Sequence, residues 1–246
     1  MAPPFYAIIS GVGTGTGSSL ARRFAKSYPV VLLSRKPSSY EPVVAEITAA
    51  GGTAIGITAD ASDPVAVDAA FAQIEEKLPG AKLAAAVYNG HAGMSRKPFL
   101  ELKLEDLETS LGTAANGFFI FAQKTIPLLL SAVSSSPHPP TLLVTGATAS
   151  VRGSALFSTF AAAKFAQRAL AQSLAREFGP KGVHVALAVI DGGIDTPWGK
   201  DRVVNGGVED GKIDPDAIAE SYWHLHTQHR SCFTQELDIR PYVEKF

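Results

Sequence analysis

The sequence predicts an α/β protein built on a doubly wound parallel sheet with helices on both faces. Three observations carry that expectation. Apolar, strand-like runs alternate with helix-length segments along the whole 246-residue chain, the order that right-handed crossovers produce. Most of those runs are continuously apolar, as strands buried on both faces are, rather than alternating. The first run also leads straight into Ser10-Gly11-Val12-Gly13-Thr14-Gly15-Thr16-Gly17, after which a helix begins.

Taken in order, strands are expected at residues 5–10, 30–34, 53–58, 83–89, 141–145, 183–190 and 232–239, and helices at 18–27, 41–50, 64–77, 105–133, 157–178 and 215–226. Two stretches interrupt this rhythm. Ser134 to Pro140 is a short linker before a strand, too brief to separate two domains. Residues 191–213 form a long segment rich in Gly, Asp and Lys, and a loop of that length is expected to be a mobile, substrate-covering element. No internal repeat is visible, so residues 1–246 are read as a single domain.

Composition narrows the function. Lys and Arg number 22 against 23 Asp and Glu, giving a net charge of −1. There is no basic excess to hold a nucleic acid or an anionic membrane. The one cysteine, Cys232, excludes an internal disulfide and a cysteine-built metal cluster. The first residues lack the positive region and apolar core of a secretion signal, and no apolar run is long enough for a membrane span. A soluble, cytoplasmic protein is the expectation.

Glycines between a first strand and a first helix let bare backbone N–H groups approach a pyrophosphate, with the positive end of the helix dipole behind them. The position makes this a Rossmann-like nucleotide turn, with Gly11, Gly13, Thr14, Gly15, Thr16 and Gly17 as candidate cofactor contacts. The second strand ends at Ser34-Arg35-Lys36. An NAD site places an acid there, whereas two cations suit a 2′-phosphate, so NADP(H) is preferred over NAD(H).

With these residues in view, the chain resembles the short-chain dehydrogenase/reductase family. Gly11, Gly15 and Gly17 match its glycine turn, Asp60 with Ala61 the acid that reaches the adenine, and Lys164 its active-site lysine. Asn89-Gly90 matches the asparagine motif after the fourth strand, although His91-Ala92-Gly93 is a second possible match; Asn89 is preferred because it abuts the strand. Asp191-Gly192-Gly193-Ile194-Asp195-Thr196 resembles the segment that holds the nicotinamide. The resemblance implies an oxidoreductase acting on a small-molecule substrate, and a homodimer or homotetramer in which the alanine-rich helix near 160–178 packs on its copy.

The catalytic set departs from the family. Its tyrosine lies four residues before the lysine, on the same helix face. The phenol passes a proton, and the lysine lowers its pKa. Here that position is Phe160, the serine position is Ala147, and the structural asparagine position is Ala114. Asn116 is two residues further on, rotated by roughly 200° on a regular helix, and serves only if the helix is distorted.

Ser158, Thr159, Thr148, Ser150 and His91 are alternative candidate proton donors, each more simply a local hydrogen-bonding residue. Lys164 is expected to hold the nicotinamide ribose, and as an alternative to act directly if burial lowers its pKa. His224, His226 and His229 are taken as solvated or pocket-lining histidines and not as a metal site. Trp198, Tyr222 and Trp223 are candidate walls of an apolar substrate pocket. The leading reading is hydride transfer to a carbonyl, imine or activated alkene without the usual acid pair. The rival is a non-redox cyclase, isomerase or regulatory module that keeps NADP(H) as a structural ligand.

Overall fold

Every expected run becomes a strand of one sheet: β1 (Phe5–Ser10), β2 (Val30–Ser34), β3 (Ala54–Thr58), β4 (Lys82–Tyr88), β5 (Thr141–Thr145), β6 (His184–Ile190) and β7 (Glu236–Ile239). The computed structural model describes residues 4–90 and 93–245, so His91 and Ala92 lie outside the described residues. The strands lie in the order β3-β2-β1-β4-β5-β6-β7, and all neighbouring pairs are parallel. Chain order reverses between β1 and β4, which opens a crevice at the carboxyl ends of those two strands.

The helices are α1 (Thr16–Ala25), α2 (Pro37–Ala49), α3 (Pro64–Lys77), α4 (Leu104–Leu111), α5 (Gly117–Ala132), α6 (Ser158–Phe178) and α7 (Pro215–His226). Successive strand residues point to opposite faces, so each strand feeds two apolar layers. Tyr6, Ile8, Val31 and Leu33 pack with Ile74 of α3 and with Phe118, Phe121 and Leu129 of α5. Ala7, Ile9, Val30 and Leu32 pack on the other side with Leu20 and Phe24 of α1, Ile47 of α2 and Tyr222 of α7. Burial on both faces is the physical origin of the continuously apolar strands.

Four expectations need correction. The single helix expected over 105–133 is two helices joined by a π turn, Gly112–Asn116. The wider turn leaves carbonyls without their usual partners, and Tyr88 Oη at the end of β4 donates to the carbonyl of Thr113. The seat is tight, because a Cβ on Gly117 would run into that hydroxyl. The strand expected over 232–239 is only Glu236–Ile239. α1 starts at Thr16, directly on the glycine turn, and α2 at Pro37, both earlier than expected.

The histidines of α7 also differ from expectation. His226 is fully buried in the core and does not line the cleft described below. Its Nε2 and Nδ1 lie 3.0 Å from Tyr28 Oη and Thr141 Oγ1. His224 and His229 bond instead to Gln228 and Ser231. Burial, helped by the nearby His138 and His184, pushes the His226 pKa down to about 3. The unfolded chain therefore takes up a proton that the folded chain refuses, between the ordinary value of 6.5 and about 3. The contribution of His226 to stability is complete above that window and is lost as pH falls through it. Urea unfolding should show the wild-type midpoint falling from about pH 7 to about pH 5, and a shallower fall in His226→Gln; an equal slope in the variant would remove this origin.

Candidate active site

At the β1–β4 switch point lies a cleft of about 1020 Å³. Its cofactor-side wall is built from the glycine turn. Gly11 has φ +88°, and a Cβ there would strike the carbonyl of Asn89. A Cβ on Gly17 would lie 2.5 Å from the carbonyl oxygen of Gly11. Only glycine allows β1, the turn, α1 and the end of β4 to meet this closely. Gly15 caps α1 without a side-chain acceptor, so the first N–H groups of the helix have no side-chain cap.

Asn89 fixes the turn from the other side. Its Nδ2 donates to the Gly11 carbonyl at 3.0 Å, and its Oδ1 accepts from Thr145 Oγ1 at 2.9 Å. Because Thr145 spends its proton on Asn89, the Tyr222 hydroxyl 2.8 Å away is the donor to Thr145. Burial raises the Tyr222 pKa and keeps that proton in place. Tyr222 thus anchors the cofactor wall from α7, with no exposed surface and no place in the cleft lining. Trp223 likewise packs on Phe24, under the Arg23 guanidinium. Of the three aromatics, Trp198 alone lines the cleft.

Further along, Ser34, Arg35 and Lys36 line the cleft at the end of β2, joined by Ser39, which the sequence reading missed. Among the described residues neither Arg35 nor Lys36 forms an ion pair. Asp60 and Ala61 stand opposite. Burial alone would raise the Asp60 pKa, but hydrogen bonds from the Ser62 hydroxyl and N–H, with the charge of Arg35, hold it below the ordinary value. Asn89-Gly90 lines the cleft, whereas Gly93 does not and gives its carbonyl to Ser110 Oγ.

The opposite wall carries Lys164, Phe160 and Ala147 together. Lys164 is buried, and its ammonium donates to the Thr145 carbonyl at 2.8 Å and to Gln167 Oε1 at 2.9 Å. Desolvation pushes its pKa down to about 8. Beneath it Ala114 and Ala163 are fully buried and pack with Leu111 and Phe160. The π turn does distort the helix at Asn116, yet Asn116 remains exposed and Ala114 faces inward.

Two expected site residues are placed elsewhere. Ser158 is exposed at the start of α6 and does not line the cleft, while Ser154 and Phe157 do. Asp191 is buried behind the lining, where it accepts from Thr148 Oγ1 at 2.5 Å and pairs with Arg240 at 3.3 Å. Gly192, Gly193 and Thr196 remain in the wall, with Ile194, Trp198, Arg202 and Val204. The segment is held onto itself by paired backbone bonds between Gly193, Asp195 and Ile213. Ser150 is buried and accepts the Ala147 N–H, and Thr159 is buried as well.

A parallel sheet with this switch point, glycine turn and buried lysine defines a nucleotide-binding oxidoreductase fold. Residues 6–205 match the short chain dehydrogenase family, and the chain belongs to that family of oxidoreductases. It is 28% identical over 191 residues to a 3beta-hydroxysteroid dehydrogenase of Mediterraneibacter gnavus, a match covering 77% of this chain and 66% of that relative. A short-chain dehydrogenase from Rhodopseudomonas palustris is 32% identical, with a TM-score of 0.78 and coverage of 97% and 98% of the two chains. A short chain dehydrogenase from Burkholderia cenocepacia, solved in complex with NADP, is 25% identical with a TM-score of 0.83, covering 98% of each chain. Among the described residues no helix is long and apolar enough to cross a membrane.

Proposed function

We propose that the chain is an NADP(H)-dependent oxidoreductase that moves hydride to or from a small organic substrate without a tyrosine–serine acid pair. The observation that carries this reading is the presence of Phe160 and Ala147 in the cleft beside the buried Lys164. The residues present fit a phosphorylated dinucleotide. Gly11 and Gly17 leave no room for side chains in the turn, and the α1 N-terminus has no side-chain cap. Arg35 and Lys36 offer charge at the far end of the cleft, in keeping with the NADP bound by the Burkholderia relative.

When bound, the dinucleotide supplies or accepts the hydride. The chain's own residues hold and orient. The glycine turn and α1 N-terminus meet the pyrophosphate, and Asp60 reaches the adenine end. Ser34, Arg35 and Lys36 meet the 2′-phosphate. Lys164, with two of its N–H groups already committed, directs what remains toward the ribose. Residues 191–213 cover the substrate. The chain's single cysteine accords with a cytoplasmic setting. Exposed Leu104, Phe119 and Phe165 on α4, α5 and α6 support a homodimer or homotetramer.

Without a phenol or serine hydroxyl at these positions, an acceptor that needs proton delivery is at a disadvantage. An imine or conjugated alkene is the favoured substrate class. NADPH oxidation measured against matched ketones, imines and enones should give turnover of the latter two; selective turnover of simple ketones would overturn the reading.

Restoring the missing hydroxyls tests the same point from the protein side. Phe160→Tyr combined with Ala147→Ser should raise ketone reduction by ~10²–10⁴-fold, the usual worth of general acid–base catalysis. An unchanged rate in a folded double variant would mean that the pocket differs beyond these two positions. For the cofactor, Arg35→Ala should weaken NADPH by ~10-fold or more while leaving NADH nearly unaffected, as loss of a charge-assisted hydrogen bond predicts. Equal weakening of both would remove Arg35 as the reader of the phosphate.

A further inference from the structure

Thr148 carries a hydroxyl whose proton is already assigned. It lines the cleft, and its Oγ1 donates to the buried carboxylate of Asp191, which is held in turn by Arg240. A hydroxyl committed in this way shows only its lone pairs to a bound molecule. Next to it Ala147 offers no side-chain donor, and Ser150 is buried against the Ala147 N–H.

The same wall carries an acidic group and aromatic rings. Glu244 lines the same cleft and accepts from Asn205 Nδ2 at 2.8 Å. Phe160 and Trp198 add aromatic side chains to the wall, whose ring faces attract cations, while the Arg96 guanidinium already lies over the ring of Phe157. The cleft's own cations on this side are Lys164, drawn inward by the Thr145 carbonyl and Gln167, and Arg202, exposed to solvent. At Thr148 itself a ketone oxygen would meet an acceptor, whereas an N–H cation meets a complementary group.

We propose that this end of the cleft selects a nitrogen cation, with Thr148 Oγ1 accepting its N–H and Asp191 acting as the positioning residue. The substrate class is then a protonated imine. The inference rests on the hydride-transfer reading above and deepens it. Hydride addition forms a C–H bond at the iminium carbon and moves the C=N π pair onto nitrogen. The dinucleotide is oxidised, the product leaves as a neutral amine, and no proton has to be delivered. That balance accounts for a site that carries Phe160 and Ala147.

Calorimetric titration of the full chain, with and without NADP⁺, tests the selectivity apart from turnover. The probes are 1,2,3,4-tetrahydroisoquinoline, a protonated secondary amine, and isochroman, its ether isostere. The amine should bind at least ~10-fold more tightly, as a hydrogen bond to a charged group predicts. Thr148→Val should abolish that preference without changing NADP⁺ affinity, with a lower melting temperature from the lost hydrogen bond to buried Asp191, and Thr148→Ser should retain the preference. Equal binding of the two probes, binding of neither, or a preference that survives in Thr148→Val overturns the proposal. An amine preference without any NADP⁺ binding would sink the cofactor reading and leave the selectivity standing; NADP⁺ binding without the preference does the reverse.

Discussion

Backbone meets backbone where Gly11 presses on the carbonyl of Asn89, and the cleft depends on that contact. β1 and β4 are neighbours in the sheet although β2 and β3 intervene in sequence. Their ends stay together because the Asn89 N–H donates to the Ser10 carbonyl and its side chain returns to Gly11. The same asparagine is reached from the far layer through Thr145 and Tyr222. A side chain at either Gly11 or Gly17 would force these elements apart. The nucleotide wall is thus a product of close packing before it is a product of chemistry.

The opposite wall follows a different logic. Lys164 is held by a carbonyl and an amide and sits above a floor of alanines and Phe160. An apolar floor lowers the local dielectric and disfavours the ammonium form. The result is a buried amine that shares the cleft wall with the aromatic ring of Phe160. Neither Phe160 nor Ala147 carries a proton that it could deliver.

The sheet, its helices and the glycine turn were legible because each rests on local pattern: apolar runs of strand length, and glycines placed between a strand and a helix. Lys164 was singled out by the family resemblance and the cations after β2 by their place at a strand end, and all of them line the cleft. What escaped was set by partners distant in sequence. The π turn requires the Tyr88 hydroxyl, which comes from β4. Asp191 was read as a cleft residue with the whole segment that resembles the family's nicotinamide-holding stretch; Arg240, directly after β7, pairs with it behind the wall. Tyr222 and His226 read as pocket or surface residues, yet Thr145, Tyr28 and Thr141 hold them inside. Ser158 adjoins the active helix in sequence but begins it on the solvent side.

The π turn at Gly112–Asn116 carries one residue more than a regular helical turn needs. That surplus sets the angular offset between α4 and α5, so the two can serve different neighbours. α4 faces α6, while α5 lies against the sheet. Removing a single residue from the turn would tidy the helix locally, but it would swing one half by roughly 100° about the common axis. Ala114 would leave its seat beneath Phe160, and the Tyr88 hydroxyl would lose its acceptor. An irregularity of one residue is therefore what lets two joined helices pack beneath Phe160 and brace the sheet at once.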